Sequence, residues 1–188
     1  MTGKFLFAVA LAAGTTLAAA PAAGAVMVIG NTSARICYEA AEARMAPSWD
    51  SFANCDRALN EEGLTEFDRV ATYVNRGILR LRTGKVDAAI ADFDVAIGRD
   101  PSLGDAYLNK GIALVRASRD WDEAIGLFNT AIEKRTRRPA LAYYGRGVAN
   151  EMKGRIKDAY LDYREANRIE PKWREPQTDL ARFTVQRP

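Results

Sequence analysis

Four aspartates, Asp87, Asp92, Asp94 and Asp100, fall within the fourteen residues of "DAAIADFDVAIGRD". Clustered carboxylates are what a divalent cation, or a paired general acid and base, requires. On a helix, however, Asp92 and Asp94 lie about 200° apart and point to opposite sides. Asp87 and Asp94 share a face but sit about 10.5 Å apart along the axis, too far for one cation with ligands at roughly 2–2.6 Å. Asp87 suits a helix start, where negative charge meets the macrodipole, and Asp100 suits the turn before Pro101. The run reads as a solvated helix face, with no metal, no cofactor and no catalytic group. The chain also has 0 histidines, which excludes Ser-His-Asp and Cys-His catalysis and histidine-ligated zinc. An enzyme built on carboxylates or lysines is the weakest functional reading.

The residues between the acids say more about what positions them. Ala89, Ile90, Phe93, Ala96 and Ile97 form one apolar stripe at helical spacing. That stripe belongs to a unit that recurs in "YVNRGILRLRTGKVDAAIADFDVAIGRDP" (73–101), "YLNKGIALVRASRDWDEAIGLFNTAIEKR" (107–135) and "YYGRGVANEMKGRIKDAYLDYREANRIEP" (143–171). Gly77, Gly111 and Gly147 recur in register, as do Ala89, Ala124 and Ala159, then Phe93, Phe128 and Tyr163, then Ala96, Ala131 and Ala166. Each unit breaks into two helices at "RTGK", "ASRD" or "MKGR". Glycine and alanine at fixed positions mark places where helices approach closely. Pro101 and Pro171 end the second helices of their units.

The order aromatic, glycine, alanine, aromatic, alanine, proline (Tyr73, Gly77, Ala89, Phe93, Ala96, Pro101; Tyr143, Gly147, Ala159, Tyr163, Ala166, Pro171) resembles the tetratricopeptide repeat. The middle unit departs from it, with one extra residue in its turn and Thr136 where the proline should stand. The resemblance implies an all-α, right-handed superhelical solenoid of antiparallel helix pairs. Repeats are expected at 70–103, 104–138 and 140–173, with a degenerate hairpin over 32–66 and a capping helix over 174–185. It also implies a concave face lined by the first helix of each repeat, where a peptide or partner helix lies. By position, that groove holds Val74, Asn75, Ile78, Leu81 and Arg82, then Leu108, Asn109, Ile112, Val115 and Arg116, then Tyr144 and Val148. Asn75 and Asn109 hold equivalent places and suit hydrogen bonds to an extended peptide backbone, or to a neighbouring loop. Gly145 replaces them in the third unit. The lysines that grip a carboxylate in chaperone-tail binders are replaced here by apolar residues such as Val74 and Leu108.

Two further features set the context. Residues 1–25 carry Lys4, an apolar run and the small-residue site Ala23-Gly24-Ala25, which reads as a leader cleaved before Val26. The remaining domain, 26–188, is then exported, periplasmic or secreted, with no stable membrane span. "VMVIG" at 26–30 looks extended and has no assigned place. Cys37 and Cys55 are each nine residues from Ala46, at the break between two helical stretches. An antiparallel hairpin brings them together as a disulfide worth about 3 kcal/mol, export permitting, with buried free thiols as the alternative. The net charge of +3 is too small to point to nucleic acid. The basic run "KRTRR" follows a helix end and reads as a solvated terminus, with a contact for an acidic partner or an anionic membrane surface as the alternative. The leading function is a non-catalytic scaffold for a protein or peptide partner. The alternative is a structural subunit that self-associates as a homo-oligomer or within an envelope complex.

Overall fold

The computed structural model describes residues 7–9, 24–30, 32–43 and 46–185. The described part is an all-α solenoid: α1 (Thr32–Glu42), α2 (Trp49–Glu61), α3 (Glu66–Arg82), α4 (Val86–Arg99), α5 (Gly104–Arg116), α6 (Trp121–Glu133), α7 (Pro139–Met152), α8 (Ile156–Ile169) and the short α9 (Arg174–Leu180). Two three-residue strands, β1 (Phe7–Val9) and β2 (Phe183–Val185), pair antiparallel with Phe7 opposite Val185. Most of the expected leader lies outside the described residues. No described helix is long and apolar enough to cross a membrane.

Local chemistry sets the helix ends. Ser48 caps α2 in a reciprocal box with Ser51, Thr65 caps α3 through the Asp68 amide, and Asp120 caps α6 through the Glu123 amide. The tight turns after α3 and α7 place Gly84 and Gly154 at positive φ. The longer middle turn instead puts Ser118 and Asp120 there. Helix α6 lacks its proline; Arg135 takes a left-handed conformation (φ 56°), and the Thr136 amide donates back to the Ala131 carbonyl at 2.9 Å.

Packing follows the repeated letters. The three alanine and aromatic registers from Ala89 to Ala166 are fully buried. A Cβ added to Gly77 would lie 2.4 Å from the Phe93 ring; at Gly111 it would lie 2.9 Å from Phe128, and at Gly147 2.8 Å from Tyr163. Each first helix can therefore rest on the aromatic ring of its own partner helix only without a side chain there.

A second repeated device is ionic. Arg76 bonds Asp56 on the preceding helix (2.6 Å) and Asp92 on its own partner helix (2.7 Å). Lys110 does the same with Asp94 and Glu123, both at 2.9 Å. Arg146 reaches back to Asn129 (2.6 Å) and across to Asp162 (2.6 Å). Asp92 thus departs from the solvated-face expectation. It is buried, and Arg76 and Arg80 balance its charge. Asp87 and Asp94 are exposed, and Asp100 accepts from Ser102 in its turn.

Cys37 and Cys55 form a disulfide between α1 and α2, with Cα atoms 4.9 Å apart. At the other end, helix stops at Leu180, short of the expected 185. Arg182 is held there by Glu151 and Asp179, and Phe183 is buried against Tyr160 and Tyr163. Those anchors turn the "FTV" run, whose residue types favour extended backbone, away from the helix axis.

Candidate peptide groove

The first helices α3, α5 and α7 place Val74, Ile78 and Leu81, then Leu108, Ile112 and Val115, then Tyr144 and Val148 in buried positions. Against two of these helices lies residues 24–30, the extended stretch without an assigned place. Its main chain is gripped by side chains. Asn75 accepts from the Val26 amide and donates to the Val26 carbonyl, both at 2.8 Å. Asn109 donates to the Gly24 carbonyl at 3.3 Å, and Arg137 donates to the Ala25 carbonyl at 2.5 Å. The Ile29 amide donates to Asp68 at 2.8 Å. Val26 and Val28 turn inward and are buried, whereas Met27 and Ile29 point out at 53% and 71% exposure. That alternation is the two-residue period of extended backbone.

A buried polar cluster braces this grip. Asp105, at the start of α5, accepts from the Thr136 hydroxyl (2.7 Å), the Arg137 amide (3.2 Å) and Arg137 Nε (2.9 Å). Thr65 donates to Asp68 at 2.8 Å and orients it toward Ile29. Arg137 comes from the basic run after α6, so that run is not only a solvated terminus. Lys134 of the same run lies over the Tyr107 ring.

Three of the expected groove residues have other positions. Arg82 donates to the Ala40, Ala41 and Ala43 carbonyls and thereby caps the end of α1. Burial pushes its guanidinium below the usual arginine value, and the nearby Arg116 charge adds to that. Arg116 is itself exposed. Tyr144 donates to Asp179 at 2.7 Å and packs on Trp173, so the chain beyond α8 covers the third repeat. Burial raises the Tyr144 hydroxyl above its usual range, and the Asp179 charge adds to this. Gly145 stands where an asparagine would continue the series, and a Cβ there would meet the Phe128 ring at 2.5 Å.

Periodicity could not reveal Asp68, Asp105 and Arg137, because none repeats. The available signals were the extended-looking apolar run "VMVIG" at 26–30 and two asparagines at equivalent places, Asn75 and Asn109. Among the described residues, no group of three or more acidic or thiol side chains could hold a metal ion.

A family model described as tetratricopeptide repeat matches residues 74–119 and 108–172, together more than half of the 188 residues. The chain belongs to the tetratricopeptide repeat family. Solved tetratricopeptide structures share its fold. The first such domain of Spaghetti (RPAP3), bound to the HSP90 peptide SRMEEVD, is 24% identical over 60% of this chain and 87% of that one, with a TM-score of 0.56. The Arabidopsis OM64 domain is 20% identical over 63% and 96%, with a TM-score of 0.59. MamA from strain MSR-1 is 18% identical over 70% and 72%, with a TM-score of 0.56. Curated protein sequences return no match.

Proposed function

We propose that this chain is a non-catalytic scaffold of the cell envelope that holds an extended protein segment along the first helices of its repeats. One observation carries the reading: Asn75 bonds both the amide and the carbonyl of a single residue, Val26, in an extended segment. A side chain that satisfies both main-chain groups of one residue recognises backbone rather than a particular side chain. The peptide in the RPAP3 structure supports a protein ligand as the general class. The leader-like first 25 residues support the envelope setting.

Affinity capture from envelope extract tests the proposal, with wild type, Asn75→Ala and the outer-face control Val95→Asp compared by mass spectrometry. Partners lost with Asn75→Ala and kept with Val95→Asp are expected. The same recovery from all three proteins overturns the groove assignment.

A further inference from the structure

We infer that, while residues 1–25 remain attached, residues 24–30 are a ligand held in cis, and that the groove selects an extended, uncharged segment with small apolar residues turned inward. The inference rests on the groove reading above and names the partner class.

The selectivity is written in what surrounds the segment. Val26 and Val28 face the repeats and are buried, so a charged side chain at either place would lose its water without gaining a partner. Position 24 is tight, since a Cβ there would lie 3.1 Å from Arg138 Cγ and 3.3 Å from Asp105 Oδ1, so a side chain fits only if those groups shift by a few tenths of an ångström. Met27 and Ile29 point outward and carry no comparable restriction. Asn75, Asn109, Arg137 and Asp68 bond the main chain of this segment. Any chain that can extend and fit its small residues inward meets the same donors and acceptors.

Asn109 shows that the resident segment leaves the site incompletely used. Its amide donates to Gly24 and to the Asp105 carbonyl, but its buried Oδ1 has no hydrogen-bond partner. A peptide that offers an amide there, as Val26 does to Asn75, would complete the second rung. Such a peptide must first displace the cis segment. A tethered competitor acts at an effective concentration of order millimolar, so the closed groove weakens any ligand in trans.

The test uses full-length wild type and the double variant Val26→Asp/Val28→Asp. The probe is a labelled, end-blocked peptide with the sequence of residues 24–30, followed by fluorescence anisotropy. The folded double variant should bind the probe at least about tenfold more tightly than wild type. Adding Asn75→Ala should remove that binding, and a probe with glutamate at the Val26 position should not bind. Equal binding by wild type and double variant, no binding by a folded double variant, or indifference to Asn75→Ala overturns the inference. Should the double variant fail to fold, hydrogen exchange of wild type decides: protected Val26 and Ile29 amides support cis occupancy, and exchange at unfolded-chain rates overturns it. A concentration-dependent dimer that Asn75→Ala abolishes places the segment on a second copy and also overturns it. Probe failure with partner capture still dependent on Asn75 overturns the peptide class alone, whereas capture indifferent to Asn75 overturns the groove reading beneath it.

Discussion

The two ends of the first-helix face are closed in different ways. Over the first two repeats, a seven-residue segment is held by side chains that bond its backbone. Over the third, Tyr144, Glu151 and the aromatic core bind side chains of the C-terminal extension: Asp179, Arg182, Trp173 and Phe183. Backbone recognition can be satisfied by many sequences, so the first closure is exchangeable. The second depends on particular charges and rings, so it is a permanent cap. Gly145 marks the border. Phe128 fills the space that a third asparagine would need, so the asparagine series ends where the cap begins.

Breaking the cap should have the largest effect. Arg182→Ala strips Glu151 and Asp179 of their shared counter-charge in a mostly buried setting, and should cost about 3–4 kcal/mol. Thermal melting by circular dichroism checks this, and a drop near that of a surface substitution would show that the cap is not a lock. Extending the asparagine series is the next test. Gly145→Asn drives a side chain into the Phe128 ring and should cost roughly 2–3 kcal/mol, with partial recovery in a Phe128→Leu background.

Acid should loosen the cap. Burial pushes the Glu151 carboxyl up, but hydrogen bonds from Arg182 and Tyr163, together with the Arg182 charge, outweigh it and hold the group below the usual carboxylate range. Its contribution is therefore complete above the unfolded value of about 4.3 and is lost as pH falls through the lower folded value. Melting temperatures across that window should fall for wild type and fall less for Glu151→Gln. The smallest global effect belongs to Asn75→Ala, which releases an exchangeable segment and should cost about 1.5–2 kcal/mol. Its signature is faster hydrogen exchange at Val26 and Ile29 with little change in the helices.

The repeats were legible in the sequence because each depends on residues that recur: Gly77 against Phe93, Gly111 against Phe128, Gly147 against Tyr163. The hairpin disulfide was legible because two cysteines lie at equal distances from one break. What could not be read depends on partners far apart in the chain. Asp92 shares the outward periodicity of its neighbours, and only Arg76 and Arg80 on another helix make its burial tolerable. Residues 24–30 have no structure of their own to announce, since Asn75 and Asn109, 49 and 85 residues away, decide where they lie. Helix α9 ends early for the same reason, pinned by Glu151 on α7.

The grip on Ala25 and Val26 also bears on when a leader cut at this point could be removed. The peptide bond that an A-x-A leader site would expose to a protease has its carbonyl on Arg137 and its amide on Asn75, and both flanking residues are buried. A protease needs such a bond free and extended in its own cleft. If the first 25 residues are a leader, cutting after Ala25 would race assembly: it would have to act while α3 and α5 are still apart, or wait for the segment to lift away. A chain that folded first would keep those residues for as long as that opening is rare.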